Sequence, residues 1–288
     1  DTDTDGLFNF LTVNVGVNVS SSGTYTVEGS LETNNGHSFG ARNFTFLDIG
    51  NQIIQLQFDG SDIRMKRTDG PYTLKYLHLF SNDTGETIIN SYNSTSYSYL
   101  QFEQPQAEIV SVIETAIDDN NTLYDRIEVQ VMINVTEANT YTIQADLTNN
   151  GTIASDQISE FFTVGDHTIS LNFDGKQIRG QRKDGPHTLR FFEIMDDGGN
   201  QIDYIAQGLN TASYSYLQFE QPAVELTGTY FDEGIDTDNN TVFNFLKFTS
   251  EVNVTIFGTY TLYANLWDSN DNVITTSSNE TQLDAGVQ

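Results

Sequence analysis

The 288 residues include no cysteine, so neither a disulfide nor a thiol takes part in holding the fold or in its chemistry. Proline is scarce, at four, and tryptophan occurs once. Positive charge is also short: 12 Lys and Arg stand against 40 Asp and Glu, a formal net charge of −28. Such a chain repels phosphate backbones and anionic headgroups and attracts cations, so nucleic acid is not an expected partner. No apolar run reaches the length of a membrane-spanning helix, and direct membrane insertion is not expected of this segment. HExxH, GxSxG and P-loop patterns are missing, and His37, His78, His167 and His187 are scattered singly. The chain is therefore not expected to be an enzyme.

What is present is repetition. SYSYLQFEQP runs from Ser96 to Pro105 and again, unchanged, from Ser213 to Pro222. Other segments recur around it: Phe58-Asp59-Gly60 with Phe173-Asp174-Gly175, Ile63-Arg64 with Ile178-Arg179, and Asp69-Gly70-Pro71 with Asp184-Gly185-Pro186. A third copy is marked by Gly258-Thr259-Tyr260-Thr261, which repeats Thr24-Tyr25-Thr26 and Thr140-Tyr141-Thr142. The repeat is about 115 residues long, an ordinary domain size. The expected domains are 1–105, 106–222 and 223–288. Copies two and three open with a strand (Ala107–Ile113 and Ala223–Thr229) that copy one lacks, and copy three stops before its Phe-Asp-Gly segment. A window on a longer tandem array is the favoured reading. The other is strand addition by neighbouring subunits, most plausible at the N-terminal edge.

Leu11, Val13, Val15, Val17 and Val19 alternate with polar residues, which is the period of a half-buried strand. Similar short runs follow, punctuated by Gly, Asn and Asp, and none has a sustained helical period. The expected fold is all-β: tandem Ig-like or jelly-roll-like β-sandwich domains, the third incomplete. In this scheme Ile63 to Lys66 is a strand. Tyr97, Tyr99, Tyr214 and Tyr216 line one face of another strand, and a sugar-stacking platform is the less simple reading of those tyrosines.

The strongest chemical signal is Asp1-Thr2-Asp3-Thr4-Asp5-Gly6-Leu7-Phe8-Asn9. Alternate carboxylates with a glycine at the bend suit Ca²⁺, a hard cation that takes six to eight oxygens. The loop resembles the DxDxDG loops of EF-hand, dockerin and thrombospondin type 3 repeats, but lacks the bidentate Glu and flanking helices of the EF-hand. That resemblance implies Asp1, Asp3, Asp5, a carbonyl near Leu7, and Asn9 as ligands. At the same register copy three offers Asp236, Asp238, Asn240 and Asn244, and copy two Asp119, Asn121 and Asp125. In copy two Ile117 stands at the first position, with Asp118 beside it as a substitute, so weaker binding is expected there. The competing reading is a polar turn in an acidic protein. Glu103 and Glu220 in the repeated decapeptide are expected to be solvated carboxylates rather than ligands of an interdomain cation. Asn-X-Ser/Thr sequons stand at Asn18, Asn43, Asn82, Asn93, Asn120, Asn134, Asn150, Asn239, Asn253 and Asn279, acceptors for covalent N-glycans.

Taken with GTYT, FDG and DGPYTL, these loops resemble tandem Ig-like β-sandwich repeats of secreted archaeal and bacterial cell-surface proteins. The resemblance implies an extracellular, calcium-stabilised, N-glycosylated structural protein. It would self-assemble with like subunits in a surface layer, sheath or filament. A non-catalytic accessory or carbohydrate-binding module of a secreted enzyme is the competing expectation, and an adhesin stalk a third.

Overall fold

A computed structural model describes residues 1–81, 84–205 and 208–288. The first repeat contributes β1 (Phe10–Val19), β2 (Gly23–Glu32), β3 (Ser38–Leu47), β4 (Gly50–Asp59), helix α1 (Gly60–Met65), β5 (Thr73–Ser81) and β6 (Thr84–Asn93). The second contributes β7 (Ala107–Ile117), β8 (Arg126–Val135), β9 (Asn139–Thr148), β10 (Thr152–Phe162), β11 (Gly165–Asp174), helix α2 (Gly175–Gly180), β12 (Thr188–Met195), β13 (Gln201–Ile205) and β14 (Leu209–Asn210). In the third are β15 (Val224–Ile235), β16 (Phe245–Val254), β17 (Gly258–Trp267), β18 (Val273–Leu283) and β19 (Gly286–Val287).

These strands form six antiparallel sheets, and the fold is all-β, as the alternation requires. In the first repeat the pair β1-β4 faces the sheet β3-β2-β5-β6. Leu11, Val15, Val17 and Val19 are buried while Thr12, Asn14, Gly16 and Asn18 are exposed. They meet Val27, Leu31, Leu56, Phe58, Ile63, Tyr72, Leu74 and Phe102 in one core. Each such side chain removed from water contributes about 1.5–3 kcal/mol. The second repeat has the same two layers, with one strand more in each: β11-β8-β7 against β10-β9-β12-β13, β14 pairing with β12. The third has β15-β16-β19 and β17-β18, and Val254 is its one buried hydrophobic residue among the described residues. A groove of about 610 Å³ lies there between the sheets, lined by Val224, Leu226, Phe248, Tyr260 and Leu262 among others.

Two local expectations are corrected. Residues around Ile63 and Ile178 form one-turn helices rather than strands. Asp59 caps the first, its Oδ1 accepting from Ser61 N at 2.8 Å, and Asp174 caps the second, accepting from Lys176 N at 2.7 Å. The glycine after each Asp is sterically required: a Cβ on Gly60 would lie 2.2 Å from the Phe8 carbonyl oxygen. Six residues are too few for a 3.6-residue period to register. Nor is the repeated decapeptide a strand. It is an extended segment closed by a 3₁₀ turn at Tyr99–Gln101, and again at Tyr216–Gln218. A capping box fixes each turn, with Gln101 Oε1 accepting from Ser98 N at 2.8 Å and Gln218 Oε1 from Ser215 N at 2.7 Å.

Candidate metal centre and repeat junctions

The three acidic loops share one backbone path. Thr4, Asn120 and Asn239 have positive φ, as do Gly6, Thr122 and Thr241 two residues later. The two threonines there hold a conformation that glycine adopts without cost. In the first loop Asp1 accepts from Thr4 N at 2.7 Å and Gly6 N at 3.2 Å, while Asp5 accepts from Leu7 N at 2.8 Å. In the third, Asp236 accepts from Asp238 N, Asn240 N and Thr241 N, and Asn240 from Val242 N. In the second, Asp118 does the work of Asp1, accepting from Asn121 N at 2.9 Å and Thr122 N at 3.1 Å. Asn121 accepts from Leu123 N at 2.9 Å, as Asp5 does from Leu7 N.

Only in the first loop, among the described residues, do three carboxylates converge. Oxygens of Asp1, Asp3 and Asp5 lie within 4.8 Å of one another, all exposed. The fourth acid nearby is Glu103 from the decapeptide, tied to the loop by Asn9 Nδ2 at 3.1 Å. Partial burial, then the charges of Asp5 and Asp3, holds the Glu103 carboxyl above the usual carboxylate range. None of the four carboxylates is in an ion pair among the described residues. This donor set fits a hard divalent cation, whose charge relieves the mutual repulsion.

The ninth-position residues act differently. Asn9 Oδ1 accepts from Thr2 N at 2.5 Å and Thr2 Oγ1 at 2.9 Å, and Asn244 Oδ1 repeats this with Thr237. Asp125 accepts from Asp119 N at 2.7 Å. All three close the loop on itself. In the second repeat Asn121 Nδ2 donates to Glu220 at 2.8 Å, and Lys176 lies 3.3 Å from the other oxygen of that carboxylate. The corresponding residue in the first repeat is Ser61.

The decapeptide also builds the junctions, a role its sequence does not disclose. Arg64, on α1, is buried and grips Glu108 of β7 by Nε at 3.0 Å and Nη2 at 3.0 Å. Its Nη1 donates to the carbonyls of Leu100 and Phe102. Arg179 repeats the grip on Glu225 of β15, and its Nη1 donates to Leu217 O and Phe219 O. The rest of the decapeptide is tied down likewise: Gly70 N to Tyr97 O, Tyr99 N to Asp69 Oδ1, and their counterparts Gly185 N to Tyr214 O and Tyr216 N to Asp184 Oδ1. Between the first two repeats there is a further clasp. Asp203 of β13, fully buried, accepts from Arg67 Nη2 at 2.6 Å, Arg67 Nη1 at 2.8 Å and Ile109 N at 2.7 Å. The only advance signal for these contacts was the double occurrence of Ile-Arg after Phe-Asp-Gly.

Strand β1 is paired on one side alone among the described residues. β8 and β16 are flanked by β7 and β15, whereas β1 pairs with β4 alone. A groove of about 420 Å³ runs beside β1, lined by Leu11 to Gly16 and by Leu74, Leu77, Tyr92 and Tyr97. In the second repeat β7 supplies Glu114, which accepts from Tyr214 Oη at 2.6 Å; Tyr97, the equivalent tyrosine, has no such partner among the described residues.

The other singled-out residues are dispersed. His187 is fully buried with neither ring nitrogen bonded, while His167 Nε2 contacts Thr163 O at 2.7 Å. Among the sequons, Asn18, Asn93, Asn120, Asn150, Asn239 and Asn279 are exposed. Asn43, Asn134 and Asn253 are half-buried, and Asn82 lies outside the described residues.

Residues 4–95 match a family model. Its description is the C-terminal domain of DUF4785, a domain of unknown function, and the match covers most of the first repeat. No curated protein matches the chain. Among solved structures the chain is similar to a DUF4785 family protein from Legionella pneumophila, at 16% identity and a TM-score of 0.32. That match covers 71% of this chain and 55% of the other. A β-D-mannosidase from Dictyoglomus thermophilum matches at 11% identity and a TM-score of 0.27, covering 78% of this chain and 30% of that one. A β-glucuronidase from Bifidobacterium dentium matches at 10% identity and 0.24, covering 76% and 40%. The chain thus spans about half the length of the first of these and less of the others.

Proposed function

We propose that this chain is a stiff structural segment of an extracellular protein, calcium-stabilised and N-glycosylated, that assembles with like subunits in a surface layer, sheath or filament. The observation that carries the reading is the repeated clamp: the same Arg–Glu pair, on the same two decapeptide carbonyls, stands at both junctions. A flexible tether has no use for an ion pair withdrawn from water, fully at the first joint and largely at the second, because ordering it costs desolvation. Calcium at the first loop adds to this rigidity, since Asp3 and Asp5 face Glu103, which precedes the junction directly.

Small-angle scattering and electron microscopy of the chain in millimolar Ca²⁺ and in EGTA test this. The expected result is one maximum dimension with a narrow distribution, and ordered assemblies in calcium that disperse in EGTA. A broad distribution of interdomain distances in both conditions, or dispersed particles throughout, would remove the structural reading.

A further inference from the structure

The second repeat carries an unpaired arginine in its β12 strand, where its counterpart in the first repeat has a neutralised lysine. Of the 12 Lys and Arg, Arg190 alone makes neither an ion pair nor a hydrogen bond among the described residues. With 40 acids available, a free guanidinium calls for a cause. Its exposure comes from a β-bulge. Arg190 pairs with Asp146 and Glu193 with Gln144, so Phe191 and Phe192 together oppose one residue of β9. The bulge turns both Arg190 and Phe191 outward, where plain alternation would bury one of them. Phe191 is 67% exposed at φ 49°, a left-handed conformation that costs a bulky residue. Strain of this kind persists where surrounding structure enforces it, and it collects at ligand sites.

The first repeat supplies the control. Its β5 is bulged one residue earlier, and there too the cation and the ring beside it, Lys75 and Tyr76, are exposed, although Tyr76 does not share the left-handed φ of Phe191. There Glu32 neutralises the cation at 3.1 Å. The residue corresponding to Glu32 is Thr148, whose hydroxyl donates to Thr188 O instead. Asp146, across the ladder from Arg190, forms no ion pair with it. The freed guanidinium and the phenyl ring border a cavity of about 520 Å³ whose lining also includes Tyr204, Gln201, Glu193 and, from the first repeat, His37. Glu193 is the one carboxylate among the lining residues, and amides of Gln144 and Gln201 cap it. The Arg67–Asp203 clasp holds this junctional wall, since Arg67 Nη1 also donates to Tyr204 O at 2.7 Å.

We propose that this cavity binds a uronic-acid unit of an acidic polysaccharide, the sugar ring lying on Phe191 and its carboxylate on Arg190. A flat apolar ring beside a planar two-pronged cation is the complement of a pyranose face with a carboxylate at its edge. A neutral sugar would leave the guanidinium unused; a small inorganic anion would leave the ring unused. The net charge of −28 does not forbid this, because at about 0.15 M salt charges beyond about 8 Å are screened. The inference stands apart from the structural reading above, and its test uses no assembly.

The test is calorimetric titration of the full chain, in EDTA at 0.15 M salt, with tetragalacturonate and with its fully methyl-esterified form. The expected result is saturable binding of the acid and at least tenfold weaker binding of the ester. Arg190→Gln and Phe191→Ala should each weaken binding tenfold or more. Thr148→Glu, which restores the carboxylate found in the first repeat, should do the same with the melting temperature unchanged. Asp3→Asn, in the acidic loop, should bind as the parent does. Absence of saturation at 10 mM acid, equal binding of the ester, or full binding by both Arg190→Gln and Thr148→Glu would overturn the proposal.

Discussion

At the acidic loop, the first repeat gathers Asp1, Asp3, Asp5 and Glu103 with no ion pair, whereas the second sets Lys176 against Glu220. At the β-bulge the arrangement inverts: Lys75 is neutralised by Glu32, and Arg190 is left free. At the core position after the Gly-Pro turn, Tyr72 packs edge-on against Phe39 and donates to Thr68 O, whereas His187 is buried with neither ring nitrogen bonded among the described residues, and Ala154 holds the register position of Phe39. The frame is common to both copies, down to the caps and the junction arginines. What differs is which charges are cancelled within the protein and which are left for something outside it. In duplicated domains the identical residues report folding, and the non-identical charge partners are where separate tasks arise.

The largest effect expected from breaking this comparison is at the joints. Arg64→Ala leaves Glu108 buried without its partner, a loss of about 3–5 kcal/mol by urea unfolding. Arg179→Ala should cost less, because its pair with Glu225 is longer, at 3.3 Å, and more exposed. Equal losses would contradict this ranking. Next comes calcium. If the first loop binds at a hundredfold excess over Kd, calorimetry should show a gain of about 2.7 kcal/mol for that repeat, abolished by Asp3→Asn. The second repeat should respond little until Lys176→Ser uncovers Glu220, and Ser61→Lys should blunt the first. A calcium response that ignores both exchanges would remove the role given to Lys176.

The smallest effect is at His187. Burial holds its imidazole below the ordinary value of 6.5, so the unfolded chain takes a proton that the folded repeat refuses. The site's contribution is therefore complete above about pH 6.5 and declines as the pH falls below it. His187→Tyr, the residue of the first repeat, should remove that decline. It should also add on the order of 1 kcal/mol, since two unbonded buried nitrogens are removed. Unchanged acid sensitivity in thermal melts would rule the residue out as the cause.

The all-β architecture was legible because Leu11 to Val19 alternate cleanly and because the decapeptide repeats. The loops were legible as candidates from Asp1-Thr2-Asp3-Thr4-Asp5-Gly6. Missing from the linear text was everything assembled across the chain. Glu103 belongs to the first loop through Asn9, 94 residues away. Asp118 replaces Asp1 from a position one residue late, which alignment by spacing alone cannot favour. Glu108 and Asp203, the acids that join repeats, look like ordinary strand residues until Arg64 and Arg67 meet them. The turns around Ile63 and Tyr99 escaped because their order comes from caps on single residues rather than from a hydrophobic period.

The clasp on Asp203 has a consequence for synthesis. Arg67 and Asp203 are 136 residues apart. At about 5–20 residues per second, the arginine waits on the order of ten seconds for its carboxylate. The first repeat meanwhile has all of β1 to β6, and Arg64 already has Leu100 O, Phe102 O and Glu108 within the chain made so far, whereas Arg67 lacks its carboxylate. The Arg67 clasp dates from the moment the following repeat has been made almost to its end, so it closes as a certificate that the next unit is complete.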